Sequence, residues 1–166
     1  MSKKNLQSKE SSLEVISLSL RNLNECMKLD EIALKGLWSK QQWEKELSSS
    51  RRLCFGVLDL SNLIALGTGW IVLDELHLTA IAVHPLHRRR GLAQKVLSKL
   101  FNQATNIGCT RVTLEVKSNN KEALGLYMKC GFSTAGLRPN YYKNGDDALI
   151  QWKSLSLNKQ KEESAG

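Results

Sequence analysis

Two hydrophobic periods divide this chain. Over residues 111–116, RVTLEV, apolar and polar positions alternate, so that Val112, Leu114 and Val116 share one face and Thr113 and Glu115 the other, as in a half-buried strand. Over residues 91–105 the spacing is helical: Leu92, Val96, Leu97, Leu100, Phe101 and Ala104 make one stripe, and Gly108 follows as a stop signal. Read this way, the sequence predicts strands near 13–20, 52–60, 63–73, 75–83, 111–116, 132–138 and 147–154. Helices are predicted near 23–35, 40–48, 91–105 and 120–129. Ser39 with Gln42 is a capping box for the second helix, and Ser61 with Asn62 makes a tight turn between two strands of a meander. Strands and helices in this order give an α/β layer fold.

A length of 166 residues, with 42% hydrophobic and 24% charged content, suits one domain around one core. The opening MSKKNLQSKESS and the closing LNKQKEESAG are polar and lack periodicity. The expected organisation is therefore a folded domain over 13–155 between disordered tails at 1–12 and 156–166. No signal peptide or run of 18 apolar residues is present and the four cysteines look unpaired, which points to a reducing, cytoplasmic setting and no membrane partner. Those cysteines, Cys26, Cys54, Cys109 and Cys130, form no CxxC pair. His77, His84 and His87 stand at no ligand spacing with them, so no metal is implied.

Chemistry concentrates in two stretches. In IAVHPLHRRRGLAQKVLSKLF, residues 81–101, a buried strand enters an Arg/Gly turn that opens an amphipathic helix. Gly91 lets the backbone approach a ligand, Ala93 keeps its position small, and the first helical amides lack internal partners. With the positive end of the helix dipole and Arg88, Arg89 and Arg90, they offer what a pyrophosphate needs. A basic loop before a helix is also an ordinary solvated feature. The chain holds no GxxxxGK[ST] and no GxGxxG between strand and helix, which removes support for nucleotide hydrolysis and for a Rossmann dinucleotide site. In RVTLEVKSNNKEALGLYMKCGF, residues 111–132, Glu115 is a carboxylate in a strongly apolar strand, and Tyr127 shares a helical face with Leu124 and Met128. Taken singly, a solvated strand carboxylate and a core tyrosine are the commoner readings.

Together, AVHPLHRRRGLA, LEVKSNNKEALGLYMKCGF and the late RPNYYKNGDDALI make the chain resemble the GNAT acyltransferases, which move an acetyl group from acetyl-CoA to an amine. The likeness runs from Leu13 to Leu155, and within the family it looks most like the ribosomal protein alanine N-acetyltransferases, whose early helical region LWSKQQWEKEL fits. The resemblance implies the GNAT fold: a mixed, mostly antiparallel sheet flanked by helices, with the strands holding Val83 and Glu115 splayed to admit the thioester. It implies acetyl-CoA as the donor. Backbone groups of Ile81, Ala82 and Val83 would pair with the pantetheine arm. The turn through Arg89, Arg90, Gly91, Leu92, Ala93 and Gln94 would hold the pyrophosphate, and Asn120, or Asn119 beside it, would also contact CoA.

Glu115 matches the family's general base and Tyr127 its general acid. Both roles make chemical sense, because an N-terminal amine with a reference pKa of about 8 must lose a proton before it attacks, and the departing thiolate must gain one. The implied acceptor is the N-terminal alanine of a small-subunit ribosomal protein, acetylated directly in a ternary complex. Another protein N-terminus, a lysine side chain or a small amine would use the same chemistry, since a fold does not set its substrate. Two departures stand out: the turn ends GLA where GLG is common, and Pro139 and Asn140 stand where many relatives carry a further basic residue before the tyrosines.

The net charge of +8 has three readings: cofactor phosphates, encounter with ribosomal RNA near a ribosomal substrate, or solubility. A direct nucleic-acid-binding module is disfavoured by an aromatic content of 6% and by the lack of an RNP-like aromatic strand or a basic recognition helix. A catalytically silent CoA-binding regulator would have no reason to retain both Glu115 and Tyr127.

Overall fold

The predicted meander is present. In the computed structural model, which describes residues 13–156, β1 (Leu13–Ser17), β2 (Arg52–Asp59), β3 (Asn62–Val72) and β4 (Glu75–Val83) pair antiparallel in succession. The expected tails lie outside the described residues, except for Ser156. β5 (Arg111–Lys117) joins β4 in parallel, and β6 (Ser133–Arg138) and β7 (Ala148–Ser154) complete the sheet, with β7 inserted between β5 and β6. Among the described residues the sheet order is β1-β2-β3-β4-β5-β7-β6.

Helices cover both faces of this sheet. α1 (Leu23–Leu34) and α2 (Lys40–Ser48) lie on one side, where Cys26, Leu29, Trp43, Leu66 and Ala82 form one core. α3 (Leu92–Ile107) and α4 (Lys121–Lys129) lie on the other. There Val96, Leu97 and Leu100 pack on Leu76, Leu78, Val112, Leu114 and Val116, and each such side chain contributes about 1.5–3 kcal/mol when fully buried. α3 comes close because β3 has no side chain at Gly67: a Cβ there would stand 2.5 Å from Val96 Cγ1.

Two irregularities in β4 set the stage for function. Thr68 pairs with Ala80 and Gly69 with Leu78, so Thr79 is an extra residue, a β-bulge. The bulge reverses the alternation. Leu76 and Leu78 belong to the α3 core, yet beyond Thr79 it is Ile81 and Val83 that pack on that core, while Ala82 turns to α1 and α2. The second irregularity is that β4 and β5 pair only through Glu75–Arg111, Leu76–Val112 and His77–Thr113 and then part, which is the splayed pair of central strands expected from the resemblance.

Several boundaries differ from the sequence reading for local reasons. β1 stops at Ser17, short of 20, because Ser19 caps a 3-10 turn over Leu20–Asn22. The turn between β2 and β3 is Leu60–Ser61 rather than Ser61–Asn62: Asp59 pairs directly with Asn62, and the exposed Leu60 adopts a left-handed φ of 58°. Polarity pointed to Ser61 and Asn62, but register decided the turn. α3 runs on to Ile107 before Gly108 ends it with φ 108°, and Ser39 and Gln42 form the expected capping box of α2. Met128, expected on the face of Leu124 and Tyr127, is 74% exposed, while Leu124 and Tyr127 pack on the core.

Candidate active site

The turn between β4 and α3 is built from two left-handed residues. Arg89 has φ 62° and Gly91 φ 72°, and Gly91 is the N-cap of α3 without any side-chain cap. The Lys95 amide donates to the Gly91 carbonyl at 3.1 Å as the helix starts, which leaves the amides of the first turn without a helical acceptor. They face a cavity of about 820 Å3.

That cavity gathers most of the residues singled out in the sequence. Ile81, Ala82 and Val83 line it from β4, Arg89, Gly91, Leu92, Ala93 and Gln94 from the turn and α3, and Asn120 and Tyr127 from the loop after β5 and from α4. The β4 edge at Ile81–Val83 has no partner in β5, so its outward backbone groups are free to bond a ligand. Four cations, Arg88, Arg89, Lys121 and Lys129, face one carboxylate, Glu122, around the rim. Volume, cationic end and open strand edge together fit an elongated ligand with phosphates at one end. Asn120 also has a local duty. Its side-chain oxygen accepts the Ala123 amide at 3.1 Å and so caps α4, leaving its amide group available to a ligand.

Two residues stand apart from the cavity lining. Arg90 turns its guanidinium to His87 Nδ1 at 2.7 Å, and of the three arginines expected to serve a pyrophosphate it is Arg88 and Arg89 that line the cavity. Glu115 does not line it either, and alternation explains why. Val112, Leu114 and Val116 point to α3 and α4, so Glu115 emerges on the opposite face of the sheet, at the start of the gap between β4 and β5.

Tyr127 reaches the cavity from α4, its ring held edge-on against Phe132 with centroids 5.5 Å apart. Burial, with smaller contributions from Cys130 and Tyr142, pushes its phenol up to about 12. It is therefore a neutral O–H donor throughout the physiological range.

The Glu115 face carries polar residues that the sequence did not single out. His77 Nε2 lies 3.1 Å from Glu115 Oε2, and Arg138 Nη2 lies 4.0 Å from Oε1. The segment after β6 folds back over this face through a turn in which Tyr142 accepts the Gly145 amide and donates to the Asp146 carbonyl. Tyr142 has its phenol raised by burial and by the nearby charges of Tyr141 and Glu115. RPNYY thus borders Glu115, with Tyr141 stacked edge-on against Tyr142 at 5.1 Å. On the same side of the sheet, the α1–α2 connection is fixed by the buried Asp30, whose carboxylate accepts the amides of Leu37 (2.7 Å) and Trp38 (3.1 Å) and the Trp43 indole N–H (2.7 Å).

Among the described residues no cluster of three or more His, Cys, Asp or Glu side chains could hold a metal ion, and no helix is long and apolar enough to cross a membrane.

A cationic turn feeding a cleft between splayed strands, with a donor phenol on one side and a carboxylate on the other, defines a group transferase with a phosphate-bearing donor. The acetyltransferase (GNAT) family pattern matches residues 18–132, and the chain belongs to that family, making it an N-acetyltransferase that uses acetyl-CoA. It is 30% identical over 146 residues to the [Ribosomal protein bS18]-alanine N-acetyltransferase of Escherichia coli K12, covering 86% of this chain and 98% of that one. The crystal structure of the ribosomal-protein-S18-alanine N-acetyltransferase from Escherichia coli superposes with TM-score 0.81 at 29% identity, over 90% of this chain and 98% of that one. The fold is also that of Arabidopsis thaliana NAA60 in complex with acetyl-CoA, with TM-score 0.81 at 14% identity over 87% and 99% of the two chains.

Proposed function

We propose that this protein transfers the acetyl group of acetyl-CoA to the N-terminal amine of ribosomal protein bS18, at an alanine, in a ternary complex. One observation carries this reading: the cavity suited to the donor runs through the gap where β4 and β5 part, lined by α4 on one face and by Ala33 and Leu34 of α1 on the other, and the carboxylate suited to the acceptor amine stands at the start of that gap. The name and near-full coverage of the relatives in Escherichia coli supply the acceptor. Four free cysteines fit a reducing, cytoplasmic setting, and the net charge of +8 favours encounter with a ribosomal substrate.

Acetyl-CoA supplies a thioester whose carbonyl the amine attacks. The residues of the chain divide the remaining tasks. Arg88, Arg89 and the amides after Gly91 hold the pyrophosphate, and the open edge of β4 aligns the pantetheine arm by backbone hydrogen bonds. Glu115, directly or through one water, takes the proton of the ammonium group. Tyr127 keeps its own proton until the sulfur departs and then donates it, a role that its raised phenol pKa suits. Leucine would pack at that position equally well but could not donate.

Mass spectrometry of two peptides incubated with the protein and acetyl-CoA tests the reading. One carries the free bS18 N-terminus with alanine first; the other is the same peptide blocked at its N-terminus and carrying an internal lysine. Acetylation confined to the free alanine supports the proposal. Modification of the lysine peptide alone moves the acceptor to side-chain amines, and modification of neither overturns the peptide acceptor.

A further inference from the structure

The polar face of β4 and β5 holds a chain of hydrogen bonds that ends on Glu115. Thr113 Oγ1 donates to Glu75 Oε1 at 2.5 Å, and Glu75 Oε2 is held by Arg111 Nε at 2.7 Å. A threonine hydroxyl has a single proton, and here it goes to Glu75. His77 Nδ1, 3.1 Å from Thr113 Oγ1, must then be the donor of that contact and carry a hydrogen. On the other side of the ring, Nε2 faces Glu115 Oε2 at 3.1 Å. A neutral ring protonated at Nδ1 would present a lone pair to an ionised carboxylate. The contact is a hydrogen bond only when one proton lies between Nε2 and Oε2, so the pair holds a proton in common.

We infer that His77 is a positioning residue for the transfer reaction: it fixes Glu115 through Oε2 and carries the positive charge that balances the carboxylate. The inference rests on Glu115 as the base, as proposed above. In the resting pair Nε2–H donates to the Glu115 carboxylate, and Oε1 is the free oxygen. When the acceptor binds, an N–H bond of the ammonium breaks and an O–H bond forms on Oε1, while the shared proton remains on Nε2. The positive charge passes from the amine to the Glu115–His77 pair and is delocalised through Nδ1–H and Thr113 toward Glu75. Release of one proton to solvent restores the pair.

Other charges around the pair leave His77 as its near cation. Arg138, from β6, stands 4.0 Å from Oε1 and is 54% exposed, so solvent screens it. Arg111, from β5, is engaged by Glu75. Tyr142, from the loop before β7, keeps its proton through a raised phenol pKa. Glu46, from α2, is neutralised by Arg52 at 2.7 Å and accepts the Thr79 hydroxyl.

The test compares His77→Gln, which keeps a side-chain amide donor but cannot carry charge, with His77→Ala and Glu115→Gln, all in the full chain. In His77→Gln, kcat should fall by about tenfold or more, the size met when the orienting partner of a functional group is removed. The acid limb of the kcat/KM profile should move, because Gln carries no charge beside Glu115 and shares no proton with it. The KM for acetyl-CoA and its calorimetric affinity should stay at the wild-type value, and His77→Ala should be slower than His77→Gln. A wild-type rate and unmoved acid limb in both His77 variants, with Glu115→Gln slow, would overturn the role of His77 alone. Wild-type behaviour of Glu115→Gln would overturn the base assignment and this inference with it. Nitrogen-15 NMR of the wild-type imidazole provides a reading free of folding effects: Nδ1 stays protonated across the titration if the inference holds, and a neutral Nε2–H tautomer refutes it.

Discussion

Glu115 and Tyr127 flank the opening between β4 and β5 from opposite faces of the sheet, the carboxylate on β5 and the phenol on α4. That separation leaves one side of the opening to an amine and the other to a thioester, as the proposed ternary complex requires. Replacing Glu115 by Gln should lower kcat by about a hundredfold to ten-thousandfold, the span that general base catalysis supplies, while acetyl-CoA affinity measured by calorimetry stays nearly unchanged.

Tyr127→Phe removes a donor and little packing, since the ring contact with Phe132 is retained. The chemical step, followed by rapid quench, should slow by about a hundredfold to ten-thousandfold. Full activity would reduce Tyr127 to a packing residue.

Gly91 gives a graded test of the phosphate turn. A Cβ there meets only Gln94 Oε1 at 3.9 Å, so space is not the obstacle; the left-handed φ of 72° is, at about 1–2 kcal/mol for an L-residue. Gly91→Ala should weaken acetyl-CoA binding modestly with the fold intact by circular dichroism. Gly91→Glu adds a negative charge where phosphates belong and should abolish the calorimetric signal.

Asp30 should prove a stability residue whose loss also harms the acceptor. Asp30→Ala strands two amides and an indole N–H, and each buried unmet donor costs about 1–3 kcal/mol. Urea unfolding should show a loss of several kcal/mol. At temperatures where the variant is folded, the KM for the peptide should rise more than that for acetyl-CoA.

Alkaline pH should unfold the protein through buried acids. Burial pushes the thiols of Cys26 and Cys54 from 9.0 up to about 12, with Glu25 and Glu46 adding to the respective shifts, and it pushes the Tyr127 phenol from 10.0 up to about 12. All three hold their protons more tightly folded than unfolded. Their contribution is complete below pH 9 for the thiols and below pH 10 for the phenol, and it is lost as pH rises toward 12. Unfolding free energies measured from pH 8 to 11 should fall steadily, and Cys54→Ala should flatten part of the slope.

The sequence carried the elements of the site and left out its register. Period-two alternation in RVTLEV put Glu115 opposite the core, and helical spacing in 91–105 placed the Arg/Gly turn at a helix start. Those are local signals. The partnership of His77 with Glu115 depends on three parallel pairs between strands joined by a long crossover, and nothing in either strand announces its partner's offset. The Thr79 bulge was hidden for the same reason: ELHLTA alternates and AIAV is apolar throughout, so only pairing with β3 shows the extra residue. Of the three arginines expected at the phosphates Arg90 alone is drawn away, to His87, a contact that the run RRR does not reveal; the left-handed Arg89 stands between it and Arg88.

The bulge gives β4 two reading frames. Up to Leu78 its side chains face the layers in one order, and after Thr79 in the other, so that Glu75 and His77 share the Glu115 face while Ile81 and Val83 wall the cavity. A substitution at Thr79 would alter one hydroxyl. Pairing the same residues without the bulge would turn the strand after Leu78 inside out, presenting Ala82 to the α3 core and carrying Ile81 and Val83 to the far side, whereas removing Thr79 would close the ladder and leave Ile81 and Val83 on the donor side. The kink thus lets a strand one residue longer than its neighbour keep both of its faces in place.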